Sequence, residues 1–481
     1  MQRNAEVPVW GTGTDGAAVT VECRGARSEA VVIAGKWKAL LCPMETGEPC
    51  ELIVRSDGRE IRLTDVLFGE VWLAGGQSNM EWSLIDSAEG AEEIPAARYP
   101  EIRYYNVPKV EWDDGAEHRG EWKICTPDNA PVFSAVAYHF AKSIHHELSI
   151  PVGIIGCNWG GTSASCWMRE EELKEDEDLR VYIDEFQEQL RDFTWDKFET
   201  DKMRYQETVD EYIRLKEQGA SPEELGNYPW PPPLSPHNFG RPSGLYHTML
   251  KKASPFAIKG FIYYQGESDA GKALLYEKLL SKLISNWRDI WDNVELPFLF
   301  VQLPVYGCDG NPSGEEWPLL RESQQLVSDH VSNTAMAVAL DCGVEDDIHP
   351  RHKKEVGQRL ALLALDHVYG LHIQSSGPVF KEMVIQAPTV FLSFNNLELE
   401  QEDETVRESI AGFEVAGDDG RFVLAHAELN EGKIKVWSDQ VAVPRHVRYG
   451  WANFTDANLK NKYGLPAAPF RTDMSSRRDI Q

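Results

Sequence analysis

Apolar residues in the middle of this chain gather into short, nearly unbroken runs, at 71–74, 152–156, 258–264, 298–303 and 335–340. Runs of that length without polar alternation fit strands covered on both faces. Between or after them, residues 133–148, 273–291 and 353–369 repeat their apolar positions with helical spacing. Buried strands alternating with helices predict an α/β core over residues 66–370, with a doubly wound, mainly parallel sheet. Inside that span, 168–225 is charged and rich in helix formers, as in 205–218, and reads as a helical insertion or lid. The next stretch, Tyr228-Pro229-Trp230-Pro231-Pro232-Pro233, excludes a helix interior. Its aromatic residues suit the wall of a sugar cleft or a rigid surface loop.

The flanks change period. Ala18-Val19-Thr20-Val21-Glu22-Cys23 and Glu51-Leu52-Ile53-Val54-Arg55 alternate, with turn signals such as Ser56-Asp57-Gly58 between runs, which predicts a small sandwich. Gly412-Phe413-Glu414-Val415-Ala416-Gly417 and Lys433-Ile434-Lys435-Val436-Trp437 read as strands too. The expected organisation is an N-terminal β segment over 1–65, the core over 66–370, a C-terminal β domain over 371–447, and a tail over 448–481 that returns to the core. A length of 481 residues agrees with two or three domains.

Charge and cysteine usage narrow the function. The 48 basic and 77 acidic side chains leave a formal charge of −29, which repels phosphate backbones and anionic membranes, so neither is an expected partner. No apolar run nears the roughly 20 residues of a membrane span. Met1-Gln2-Arg3-Asn4-Ala5-Glu6 lacks a signal peptide's apolar stretch, so the expectation is a cytoplasmic protein, or a secreted one if a signal has been removed. The eight cysteines form no CxxC, and no metal or cofactor is expected. Oligomeric state is left open by the sequence.

Candidate chemistry clusters where the apolar runs end. Val71-Trp72-Leu73-Ala74-Gly75-Gly76-Gln77-Ser78 reads as a buried strand that stops in a tight turn with a hydroxyl at its tip. In open α/β sheets, ligands bind outside the carboxyl ends of the strands, so Ser78 is a candidate nucleophile. A serine needs a base, and His349, in Asp346-Asp347-Ile348-His349-Pro350, follows another strand. Asp346 stands three residues before it, at a spacing that lets a carboxylate fix the imidazole tautomer. Gly160 and Gly161, in Asn158-Trp159-Gly160-Gly161-Thr162, could aim an N–H at developing negative charge. Gln265, in Gln265-Gly266-Glu267-Ser268-Asp269, could donate its amide to the same oxyanion. Glu267 could orient His349 in place of Asp346, or bind substrate hydroxyls. Fifteen tryptophans and sandwich-like flanks would also suit a carbohydrate-binding protein without catalysis.

At these residues the chain resembles the sialate O-acetylesterase family, within the SGNH/GDSL hydrolases. The shared marks run in order from Gly69-Glu70-Val71-Trp72-Leu73 and Gly76-Gln77-Ser78-Asn79-Met80 through Trp159-Gly160-Gly161-Thr162 and Arg241-Pro242-Ser243-Gly244-Leu245-Tyr246. Tyr264-Gln265-Gly266-Glu267-Ser268, Asp346-Asp347-Ile348-His349-Pro350 and Arg448-Tyr449-Gly450-Trp451 continue it. The resemblance implies a flavodoxin-like core and a metal-free serine esterase that removes O-acetyl groups from carbohydrates. It implies Ser78 as nucleophile, His349 as base and Asp346 as orienting acid, with oxyanion donors from Ser78 N–H, Gly160 or Gly161, and Gln265. The wider class usually offers asparagine at the third donor position, and glutamine stands here. Two substrate classes remain, acetylated sialic acid and acetylated hemicellulose such as xylan or xyloglucan.

Overall fold

The structure, a computed structural model, describes residues 1–226, 228–399 and 409–473. Its centre is a seven-stranded sheet in the order Thr334–Val338, Phe298–Gln302, Gly260–Tyr264, Glu70–Gly76, Val152–Asn158, Tyr99–Asn106 and Trp122–Cys125. Six strands are parallel, and Trp122–Cys125 joins one edge antiparallel. Every residue of Glu70–Gly76, Gly260–Tyr264 and Phe298–Gln302 is buried, so both faces of the central strands are covered. That explains their unbroken apolar sequence. Helices Ala135–Leu148 and Lys354–Leu363 pack together as one pair, and Ala273–Ile290 and Glu316–His330 as another.

Connectivity fixes where a ligand can sit. After Glu70–Gly76 the chain first builds toward the Tyr99–Asn106 edge, returns to place Val152–Asn158 beside the first strand, and then crosses to Gly260–Tyr264 on its other side. The order reverses at Glu70–Gly76, the kind of position at which open α/β sheets bind ligands outside the carboxyl ends of their strands.

The strands at Tyr99–Asn106 and Trp122–Cys125 and the helix Glu316–His330 add to the elements that the apolar runs predict. Within Tyr99–Asn106 only Ile102 and Tyr104, two positions apart, are buried, so it carries no continuous run. The charged segment after residue 168 does form helices, at Glu170–Glu175, Val181–Gln189 and Trp195–Glu217. Of the last, 23 residues long, only Val209 is buried.

The flanks are antiparallel. Near the N-terminus, four strands order as Ala26–Val31, Ala18–Cys23, Cys50–Ser56 and Arg59–Val66, and Val7–Thr12 pairs with Lys36–Leu41. They enclose a core around Val19, Val21 and Phe68. Toward the C-terminus two four-stranded sheets share a core of Val390, Val415, Ile434 and Val447. Arg471 forms a buried ion pair with Glu322 at 2.8 Å, and the Asn453 side chain accepts from Trp317 N–H at 2.9 Å. Residues 474–481 of the expected tail lie outside the described residues.

Candidate active site

Ser78 begins a single helical turn, Ser78–Glu81, directly beyond the central strand. The reversal depends on Gly76, whose φ is +134° and whose Cβ, if present, would lie 2.1 Å from the Tyr264 carbonyl oxygen. Only glycine fits so close a crossing. Gln77 N–H donates to that carbonyl at 3.1 Å, and Met80 and Glu81 N–H donate to Gln77 O. The turn that carries the Ser78 hydroxyl is thereby fixed.

His349 arrives from the loop after Thr334–Val338, 271 positions away in sequence, and its Nε2 lies 2.9 Å from Ser78 Oγ. For Nε2 to accept the hydroxyl proton, the ring carries its own proton on Nδ1. The indole of Trp82 stacks on the imidazole with centroids 5.1 Å apart and planes 19° apart. Burial, and then the positive charge of Lys353, lower the His349 pKa from its ordinary value, while Asp347 opposes them. The ring is therefore a neutral, available base near pH 7.

The carboxylate beside this histidine belongs to Asp347. Its Oδ1 accepts from His349 N–H at 2.8 Å. Asp346 is exposed and, among the described residues, makes no hydrogen bond with His349. The assignment of Asp346 as the orienting acid is corrected on that ground. One residue of offset turns its side chain to solvent and that of Asp347 to the histidine backbone.

Gly160 lies against the nucleophile, and a Cβ on it would come 3.3 Å from Ser78 Cβ. Its N–H donates to Glu81 Oε2 at 2.7 Å, and Glu81 also pairs with Lys109 at 2.5 Å. Among the described residues, no acceptor takes the N–H of Ser78 or of Gly161. Gly161 has φ +72°, and Trp230 occupies the space of its missing Cβ, 2.4 Å away.

Gln265 is brought to the sheet edge but turned from the oxyanion. It is 1% exposed, and its Nε2 donates to Asp269 at 2.7 Å and to Thr162 O at 3.2 Å. Its Oε1 takes the Tyr276 hydroxyl at 2.8 Å. Both amide protons are committed, so the reading of Gln265 as an oxyanion donor is corrected. Its partner Asp269 also accepts from Ala164 N–H at 2.9 Å and Ser163 Oγ at 2.7 Å. Together they pin the loop that carries Gly160 and Gly161.

Among the described residues, Glu267 makes no hydrogen bond with His349. Its Oε1 accepts from Asn79 Nδ2 at 2.5 Å, and burial raises its pKa. Asn79, Lys353, Trp82, Asp347 and Asp269 are the site residues that the sequence reading passed over. Two signals were on view, since Asn79 directly follows the candidate nucleophile and Lys353 stands four residues after His349.

Beside the serine, Trp159 and Phe239 stack with centroids 4.9 Å apart and planes 1° apart, and Trp230 lies 6.0 Å from Phe239. Lys109 Nζ sits 5.0 Å from the centroid of the Trp159 ring. The arrangement places a serine hydroxyl within hydrogen-bond reach of an imidazole, with the aromatic stack borne by the residue that precedes Gly160.

The known proteins that this chain is similar to are carbohydrate esterases. Residues 234–366 match the family model described as carbohydrate esterase, sialic acid-specific acetylesterase. The sialate O-acetylesterase of Mus musculus is 28% identical over 98% of this chain and 91% of its own length, and that of Homo sapiens 26% over 83% and 75%. Among solved structures, XAC1771, a carbohydrate acetylesterase from Xanthomonas citri, superposes with a TM-score of 0.80. It is 34% identical, over 98% of this chain and 96% of that one. This chain belongs to the sialate O-acetylesterase family of carbohydrate esterases.

Proposed function

We propose that this protein removes O-acetyl groups from carbohydrates through an acetyl-serine intermediate on Ser78. The observation that carries the mechanism is the 2.9 Å approach of His349 Nε2 to Ser78 Oγ. Ser78 Oγ attacks the acetyl carbonyl carbon while His349 takes the hydroxyl proton. The tetrahedral oxyanion is held by the N–H groups of Ser78 and Gly161, each such donor typically worth about 2.7–4 kcal/mol. The C–O bond to the sugar breaks, and His349 returns the proton to the departing sugar oxygen. Water, deprotonated by His349, then attacks the acetyl-serine, releases acetate and restores Ser78. Asp347 places negative charge beside the imidazolium that forms in both halves.

For the sugar we favour a neutral acetylated glycan over an acetylated sialic acid. The wall beside Ser78 is aromatic, and the charge of Lys109 is already matched by Glu81. The net charge of −29 further disfavours a carboxylated sugar at long range. Acetate release from acetylated xylan or xyloglucan, compared with release from O-acetylated sialic acid, tests the preference, and a faster rate on the sialate overturns it. The serine assignment is tested by Ser78→Ala, which should keep the fold and lose turnover of a chromogenic acetate ester. Retained turnover refutes it.

A further inference from the structure

Behind the nucleophile lies a buried polar cluster that the acyl-transfer steps do not use. Asn79, fully buried, follows Ser78 directly. Its Nδ2 donates to Ile348 O at 3.0 Å and to Glu267 Oε1 at 2.5 Å, and its Oδ1 accepts from Lys353 Nζ at 2.5 Å. An ammonium can only donate, and a carboxylate and a carbonyl can only accept, so the Asn79 amide has one permitted orientation. Ile348 immediately precedes His349. One side chain therefore ties the turn bearing Ser78 to the loop bearing His349, and anchors both to the strand end at Glu267.

Lys353 is fully buried as well. A buried charge of this kind is costly unless compensated. The carboxylate of Glu267, across the Asn79 amide, supplies the opposite charge. Glu267 Oε2 has no hydrogen-bond partner among the described residues, so this carboxylate is held through Asn79 and by the field of Lys353. Lys353 Nζ further lies 5.8 Å from the Trp82 ring, which stacks on His349, and 5.7 Å from the Tyr264 ring.

We propose that Lys353 is a positioning residue for deacetylation: its ammonium locks the Asn79 amide so that the nucleophile turn and the histidine loop keep their reacting distance, with Glu267 as counter-charge. This rests on the assignment of Ser78 and His349 given above. Among the described residues, Lys353 Nζ makes no hydrogen bond with Ser78 or His349, and it acts through Asn79 and through its field at His349. Besides Asn79, the ionisable groups facing it are Glu267, Asp347, Glu89, Cys342 and His349. Of these the acidic groups oppose its field, and Lys353 is the cation among the causes that lower the His349 pKa.

The test is steady-state hydrolysis of a chromogenic acetate ester across pH by the full chain, its Lys353→Met variant, and the double variant Lys353→Met with Glu267→Gln. Lys353→Met should lower kcat by tenfold or more with KM changed less than threefold. The acid limb of kcat/KM should move to higher pH, because the cation that depresses His349 is gone. The double variant, free of an uncompensated buried carboxylate, should regain folding stability without regaining kcat or the parent pH profile. If Lys353→Met does not fold, the double variant alone decides, by the same kcat and pH readouts. A kcat within twofold of the parent with an unmoved acid limb, in whichever variant folds, overturns the proposal and leaves Lys353 a structural charge. Ser78→Ala run alongside separates the two claims. Loss of turnover in Ser78→Ala with a normal Lys353 variant refutes only this inference, whereas turnover surviving in Ser78→Ala refutes the underlying assignment.

Discussion

Replacing Gly76 by alanine tests how the sheet presents the nucleophile. The new methyl would lie 2.1 Å from the Tyr264 carbonyl oxygen and 2.8 Å from its carbonyl carbon, both rigid backbone atoms in the neighbouring strand. Two costs follow. Holding a residue with a Cβ at φ +134° costs about 1–3 kcal/mol. Forcing the two strands apart costs a further ~1–3 kcal/mol. The separation also strains the 3.1 Å bond from Gln77 N–H to the same carbonyl, worth about 1 kcal/mol. The sum is about 3–7 kcal/mol, a large share of the roughly 5–15 kcal/mol that stabilises a folded domain. Because Ser78 is two residues on, the strand shift also displaces its hydroxyl from His349, and a misplacement of about 1 Å costs about 100-fold in rate. Chemical denaturation and turnover of an acetate ester by the folded fraction measure both effects. A stability loss below 1 kcal/mol with unchanged kcat would refute the reasoning.

Other expected outcomes follow from the same geometry. Asp346→Asn should leave kcat within about twofold because that side chain is exposed and turned from His349, whereas Asp347→Asn should lower kcat; rate assays on both check which aspartate matters. Burial and Lys353 lower the His349 pKa, so the base stays neutral to a lower pH than a free imidazole. The acid limb of kcat/KM should therefore have its midpoint below 6.5, and in Asp347→Asn, where an opposing charge is lost, lower still; a midpoint above 6.5 contradicts this. Gln265→Leu removes the amide donor of Thr162 O, while Asp269 keeps Ala164 N–H and Ser163 Oγ, and should cost about 1–3 kcal/mol in denaturation for the orphaned carbonyl. Its folded fraction should lose less than tenfold in kcat, since a lost oxyanion donor would cost about 100- to 1,000-fold.

Much of the central sheet is legible in the sequence because its strands are buried on both faces and leave unbroken apolar runs. Tyr99–Asn106 is not, since burial on alternate positions only makes it look like the flanking antiparallel strands. The meeting of Ser78 and His349 is legible for a topological reason, as both follow parallel strands and such strands deliver their ends to one edge. Side-chain direction at that edge is not. Sequence places Gln265 at a strand end, but its amide turns inward because Thr162 O and the Asp269 carboxylate offer it buried acceptors. The choice between Asp346 and Asp347 likewise hangs on the loop path, which spacing alone does not set. Lys353 was hidden because a lysine at the start of a helix normally lies in solvent, and only the buried Glu267 and Asn79, remote in sequence, explain its place.

In the proposed mechanism Ser78 is activated by His349 to carry the acetyl group. Reaction with an organophosphonate that reacts with activated serines, followed by peptide mass mapping, tests it most directly. One adduct per chain is expected, on Ser78, formed in the parent and at least 100-fold more slowly in His349→Ala. An adduct on another residue, or equal labelling of Ser78 in both proteins, would contradict it.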